Sequence, residues 1–574
     1  MTVPPRRAAD ILVACLRVQG IETVFGVPGE SYLAVLDALH DSGIAFVPNR
    51  QEGGAAFMAE AWGKLTGQPG ICFVTRGPGA TNAAIGVHTA RQNSTPMILF
   101  VGQVARDMRG REAFQEVDYR AMFGPVAKAV FEIDDPDRVP ELVGRAMAAA
   151  LSGRPGPVVV SLPEDMLTEH TTAAPLSRPV TPPFQSPKEG HADAEALMAA
   201  ERPLILIGGG GWEVPGGRSV LSALATVAAE AGLPIAVGFR RQDLIDNTLS
   251  SYIGDAGVGM AAHVKRAIRE ADVLLALNIR FGETETDGYT LLDVPQPKQR
   301  LIHVHADAGE LLKIFQTPEA AVADPAGYAG HLMRGIMATG AESTPGVPAR
   351  ARGADWAADL RAAFDATFTL PAQPTGVDMG AVMQVIREHL PADGIITTGA
   401  GNFAIWPARL FLYGPEHRLL APQSGAMGYG LPAAIAAKLR HPGRAVVCFA
   451  GDGDIQMTMQ ELGTAMQAGA QPVVLVINNG SYGTIRMHQE RHYPGRVSAT
   501  RIENPDYLAI GRAYGMAAAR VERTEDFAPA LEAALASPSG ALIELVISTE
   551  ALTPRETLSE MRDKALARVA SGAG

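Results

Sequence analysis

The period of the hydrophobic pattern changes regularly along the chain. Runs of consecutive apolar residues, as at 445–450 and 472–477, alternate with stretches such as 455–468 in which apolar positions recur every three or four residues. The short runs predict strands buried on both faces, and the longer period predicts amphipathic helix. Strand and helix signals alternate from Thr23 to about Leu167, as a parallel sheet covered by helices requires. A stretch rich in Pro, Thr and Ser at 171–192 reads as a linker. A second alternating pattern fills 193–340, with strands at 203–207, 273–277 and 301–304 and four glycines, 208–211, directly after the first. The pattern fades over 341–375, a second linker, and resumes over 376–574. The expected architecture is α/β with domains at 1–170, 193–340 and 376–574, the first and third sharing one plan.

Composition narrows the setting. A chain of 574 residues, 47 % hydrophobic and 19 % charged, is an ordinary globular one of three or four domains. Its formal net charge of −12 and lack of a basic patch argue against nucleic acid, although a local positive site can still hold a diphosphate. Cys15, Cys72 and Cys448 lie far apart inside apolar segments, which suits buried thiols in a reducing, cytoplasmic compartment. Residues 1–20 carry Arg6, Arg7, Asp10 and Arg17 at spacings that suit an amphipathic helix, so no signal peptide is expected. No apolar run approaches the ~20 residues of a membrane span.

Candidate chemistry concentrates where Gly451-Asp452-Gly453-Asp454 is followed, after one helical stretch, by Asn478-Asn479-Gly480. In a βαβ unit the right-handed crossover brings the carboxyl ends of both strands together, so Asp452 and Asn479 can reach one point. Mg²⁺ prefers about six hard oxygens and keeps phosphate oxygens among them. Asp452 can supply a charged oxygen, Asn479 an amide oxygen and Ser481 a main-chain carbonyl. Gly451 and Gly453 would let the backbone approach a phosphate without a Cβ in the way.

This spacing resembles the signature of thiamine diphosphate-dependent enzymes of the acetolactate synthase, pyruvate oxidase and 2-ketoacid decarboxylase superfamily. Two further stretches, Arg76-Gly77-Pro78-Gly79-Ala80-Thr81-Asn82 and Ala113-Phe114-Gln115-Glu116, resemble motifs of the acetolactate synthase large-subunit branch. The resemblance implies three doubly wound parallel-sheet domains: pyrimidine-binding, middle and diphosphate-binding. It implies that Glu52 hydrogen-bonds the aminopyrimidine of the cofactor and that Gly29, Gly401, Asn402, Gly425, Met427, Gly451, Asp452, Gly453, Asp454, Asn479, Ser481, Tyr482 and Gly483 surround the cofactor. Met427 is the apolar wedge, and Asp452, Asn479 and Ser481 ligate Mg²⁺. Such enzymes place the cofactor between subunits, so a homodimer or homotetramer is expected, with any regulatory subunit left open.

The implied reaction is decarboxylation of a pyruvate-like 2-ketoacid with carboligation to a second carbonyl compound, and the matches of Phe114 and Gln115 favour it. The alternative is a non-oxidative decarboxylase that releases the aldehyde; a non-catalytic binding protein would not need Glu52. Several residues depart from the pattern. Glu30 replaces a glycine beside the expected reaction centre, Arg76 a small residue, and His488 a Trp that shapes the acceptor pocket. These suggest substrates more polar than two pyruvates. Arg280-Phe281 matches a stretch of the domain that holds FAD in acetolactate synthases, but the acids after it are changed, which leaves FAD open.

Overall fold

The computed structural model describes residues 4–180, 190–339, 348–371, 373 and 376–571. Three six-stranded sheets organise the chain, and every neighbouring strand pair in them is parallel. In the first the strands lie in the order Ala45–Pro48, Thr23–Gly26, Gly70–Val74, Met97–Gln103, Pro157–Pro163, Ala129–Glu132. The third repeats that permutation with Arg418–Leu420, Ile395–Thr398, Val446–Gly451, Val473–Asn478, Ala541–Val546, Ala517–Val521. The shared plan expected of these two domains is therefore present. The middle sheet runs Tyr252–Ala256, Ile235–Gly238, Pro203–Ile207, Val273–Leu277, Arg300–His305, Glu319–Val322, a different doubly wound order. Central strands such as Gly70–Val74, Met97–Gln103 and Pro157–Pro163 are buried along their length, which explains why they read as unbroken apolar runs.

In each sheet the winding direction reverses between the first strand and a central neighbour, opening a crevice at the carboxyl ends. In the first domain the crevice lies beyond Gly26 and Val74, and in the third beyond Thr398 and Gly451. These two domains also share one core. Helix Glu52–Thr66 packs on helix Gly430–Arg440 within one buried cluster rich in alanine, and Phe57 meets the Tyr429 ring edge-on at 5.5 Å where the second helix begins. Within this seam the buried Glu60 accepts from Asn93 and Thr95, each at 2.7 Å, and from the Tyr429 hydroxyl.

Two expectations are revised. The helix expected over 455–468 is broken into Asp452–Ile455, a turn at Met459–Glu461 and Leu462–Ala468. Thr458 leaves helical geometry there, and its hydroxyl donates to the Gly428 carbonyl at 2.7 Å. The stretch 341–375 is more than a linker, because it contains helix Ala354–Asp365, which buries Ala357, Leu360 and Phe364. Most of its other residues are small or polar, which hides this stripe in the sequence. Part of the linker at 171–192, residues 181–189, lies outside the described residues.

Candidate active site

Strand Val446–Gly451 delivers Asp452 at its carboxyl end, and the adjacent strand Val473–Asn478 delivers Asn479 to Ser481. The Asp452 Oδ2 accepts the Gly480 N–H at 2.8 Å, and its Oδ1 accepts the Gly453 N–H at 3.0 Å. Asn479 Oδ1 accepts from the Ser481 N–H at 2.9 Å, which orients the amide oxygen toward the same turn. Asn504, which the sequence reading missed, donates from Nδ2 to both Asp452 Oδ2 and Asn478 Oδ1 at 2.8 Å. Asp452 is buried, and burial raises its pKa against the opposing pull of Asn504 and the main-chain donors. A carboxylate that the fold desolvates while leaving it lone pairs is suited to a cation. Among the described residues no group of three or more His, Cys, Asp or Glu could hold a metal. An ion here would rest on one carboxylate, an amide oxygen, a main-chain carbonyl and the diphosphate itself, which these residues fit.

A cavity of about 470 Å³ opens at this turn. Gly401, Asn402, Gly425, Met427, Gly451, Asp452, Gly453, Asp454, Asn479, Ser481, Tyr482 and Gly483 all line it. A Cβ on Gly451 would lie 2.6 Å from the Phe403 ring, and one on Gly453 would lie 2.6 Å from the Tyr482 ring. Both glycines leave room for aromatic side chains that wall the same cavity. The Asp454 Oδ1 accepts the main-chain N–H of Ala400 at 3.0 Å and of Gly428 at 2.9 Å, joining the loop 399–402 to the turn after Met427. Burial pushes its pKa up to about 7. Arg240, on the middle domain, reaches the same loop and donates to the carbonyls of Gly399 at 3.3 Å and Pro422 at 2.6 Å. No local motif marks Arg240 in the sequence.

The first domain gathers the other candidates at one sheet edge. Glu52 opens helix Glu52–Thr66, and its Oε2 accepts from Asn82 Nδ2 at 2.9 Å. Arg76 is buried between two carboxylates, donating to Glu164 at 2.7 Å and to Glu30 at 3.4 Å, and its Nε donates to the Phe114 carbonyl at 3.3 Å. Gln115 has a left-handed φ of 65° and packs over Gly77, where an added Cβ would meet the Gln115 Cβ at 2.8 Å. Glu116 holds this loop by accepting from Gly110 and Ala113, which projects Phe114 outward, 74 % exposed. Gly29 sits tight against Thr75.

Glu52, Glu30, Arg76, Phe114 and Gln115 are absent from the lining of the cavity that holds Asp452 and Asn479. His488 is absent from it too, exposed and stacked on His492 at 6.2 Å between ring centroids. The two halves of the candidate site are therefore separate surfaces of one chain.

In the middle domain the turn 208–210 and the neighbouring Arg280-Phe281 stretch make their contacts with protein. A Cβ on Gly208 would meet Ile279 at 2.3 Å, one on Gly209 the Asn278 carbonyl at 2.4 Å, and one on Gly210 the Ser94 carbonyl at 2.1 Å. Arg280 donates to the Gln92 carbonyl at 2.8 Å, and Phe281 packs against His303 and Phe315. This turn is pressed against the first domain and offers no cradle for a pyrophosphate.

Comparison with known proteins accounts for all three domains. Residues 6–122 match the N-terminal TPP binding domain of thiamine pyrophosphate enzymes, 192–332 their central domain and 399–545 their C-terminal TPP binding domain. With this fold and these matches, the chain belongs to the thiamine pyrophosphate enzymes. Its relatives among them include acetolactate synthase large subunits. That of Parasynechococcus marenigrum (strain WH8102) is 32 % identical over 552 residues, covering 94 % of this chain and 87 % of its own. The isozyme 1 large subunit of Escherichia coli (strain K12) is 31 % identical, covering 94 % of each chain. The isozyme 2 large subunit of the same organism is 29 % identical, covering 97 % and 99 %.

Proposed function

We propose that this chain decarboxylates a pyruvate-like 2-ketoacid and joins the remaining acyl unit to a second carbonyl compound, as an acetolactate synthase does. The observation that carries this reading is the loop 110–116, which holds Phe114 and Gln115 beside Arg76 on the sheet edge that bears Glu52. Thiamine diphosphate, when bound, supplies the nucleophilic carbon and the electron sink. Glu52 would share a proton with the aminopyrimidine ring, and Met427 would support the folded cofactor from below. Gly401 and Asn402 would receive the diphosphate, while Asp452, Asn479 and the Ser481 carbonyl would hold Mg²⁺. Glu30 and Arg76 would face the acceptor and favour a polar one.

The separation of Glu52 from the cavity supports a site shared between two copies of the chain. Exposed apolar side chains favour the same reading: Leu33, Met108 and Phe114 on the first domain, and Met457, Tyr482 and Ile485 on the third. Patches of this kind mark association surfaces. Among the described residues no helix is long and apolar enough to cross a membrane. The three cysteines are free and buried, which supports a cytoplasmic setting.

The test is to incubate the protein with thiamine diphosphate, Mg²⁺ and a panel of 2-ketoacids, with and without aldehyde or ketoacid acceptors, and to identify products by mass spectrometry. Carboligated products are expected. Release of free aldehyde alone, whatever the acceptor, would overturn the reading.

A further inference from the structure

Glu461 is a fully buried carboxylate in the crossover between the Asp452 strand and the Asn479 strand, and it is absent from the cavity lining. It reaches across the domain seam to the residues that precede Glu52. Its Oε1 accepts the main-chain N–H of Arg50 at 3.1 Å and of Gln51 at 3.0 Å. Its Oε2 accepts from Asn49 Nδ2 at 3.1 Å and from the Thr464 hydroxyl at 2.6 Å. Arg50 returns the contact by donating to the Gly463 carbonyl at 3.1 Å. The chain then enters helix Glu52–Thr66, with Gln51 as its cap and Glu52 as its first residue. A Cβ on Gly54 would lie 2.5 Å from Glu461 Oε1, so the first helical turn presses directly on this carboxylate.

Two consecutive main-chain N–H groups held by one oxygen fix the direction in which the chain leaves Gln51, and hence where the Glu52 carboxylate points. We propose that Glu461 is a positioning residue for Glu52: it fastens the turn 49–51 to the third domain and so sets the height and angle of the Glu52 side chain. The proposal rests on the reading of Glu52 as the group that shares a proton with the aminopyrimidine ring. A catalytic group tolerates displacement of only about 0.5 Å or 10–20° before its function suffers. A misplacement of about 1 Å can cost on the order of 100-fold.

Glu461→Gln keeps the size but turns an NH₂ group toward one of the two donor sets, the main-chain N–H groups or the Asn49 amide and Thr464 hydroxyl. Three measurements compare it with the wild type: deuterium exchange of the apo-protein over 49–54, thiamine diphosphate affinity with Mg²⁺ by calorimetry, and C2–H exchange of the bound cofactor by quenched NMR. The expected result is faster amide exchange confined to that turn, affinity within about threefold, and C2–H exchange slowed by about 10-fold or more, within the range a displaced group costs. Glu52→Gln is measured in parallel, with wild-type amide exchange and a loss of C2–H exchange of about 100-fold or more expected. C2–H exchange within twofold of wild type in Glu461→Gln, while Glu52→Gln has lost it, would overturn the positioning role alone. Retention in Glu52→Gln would remove the underlying role of Glu52 and the proposal with it. Should Glu461→Gln fail to fold, Thr464→Val removes one of the groups that hold Oε2 and, on the first domain, only a long contact with the Pro48 carbonyl at 3.5 Å. A drop of about threefold at unchanged affinity is then expected, and a wild-type rate in this variant would overturn the proposal.

Discussion

Asp452→Asn separates what the fold needs from what the cofactor needs. In the apo-protein the carboxylate is buried and its pKa is raised, so the charge is held against desolvation by three donors: the N–H groups of Gly453 and Gly480 and the Asn504 amide. Asparagine keeps the shape and one acceptor oxygen but turns an NH₂ group toward part of that set. The lost charge-assisted hydrogen bonds would cost about 1.5–3 kcal/mol each, while relief of the buried charge is worth several kcal/mol. These terms oppose each other, so apo-protein stability in urea should change by no more than about 1–2 kcal/mol, of either sign. Cofactor binding has no such compensation, because the only charged protein ligand of the proposed Mg²⁺ is gone. Changes in the surroundings of a metal ligand already cost 10–100-fold, so loss of the ligand itself should weaken thiamine diphosphate binding by at least about 100-fold, or about 2.7 kcal/mol. Calorimetry at saturating Mg²⁺ measures this directly. An unchanged affinity in a folded variant would refute the assignment of Asp452.

Three further outcomes are expected. Mixing inactive Glu52→Gln and Asp452→Ala chains under subunit exchange should restore some activity, since one hybrid site receives both wild-type halves; exchanged dimers without activity, or an active monomer by light scattering, would contradict the shared site. Glu490, buried between Arg486 and Arg562, has its pKa lowered to about 2, because desolvation is outweighed by its ion pairs with these two cations and by the Gly495 N–H that it accepts at 2.7 Å. A depressed carboxyl stabilises the fold above its unfolded pKa, and that contribution disappears as pH falls through the folded value, so Glu490→Gln should lower stability by up to about 3 kcal/mol near pH 7 and by about half as much near pH 3. Equal urea-midpoint gaps at both pH values would argue against this ion pair as the cause. His488→Trp should move kcat/KM toward pyruvate and away from polar acceptors, because a site that hydrogen-bonds its substrate discriminates more strongly than one that senses apolar area; an unchanged ratio would show that His488 does not reach the acceptor.

The sequence by itself determined the three parallel sheets, because strands covered on both faces must be apolar along their whole length and so appear as unbroken runs. It also determined the meeting of Asp452 with the Asn479 turn, because both belong to one βαβ unit whose handedness is nearly invariant. Only the tertiary structure decided the rest of the site. Glu461 and Asn49 are 412 residues apart, and Arg240 meets the Gly399 carbonyl from another domain. Neither contact leaves a period or spacing in the chain, because a buried carboxylate or guanidinium is matched to whichever main-chain groups the packed domains bring to it. The glycines show the same division. Their positions were legible, but that Gly451 and Gly453 clear space for Phe403 and Tyr482, and that Gly210 meets the Ser94 carbonyl, depended on which surfaces the folded domains pressed together.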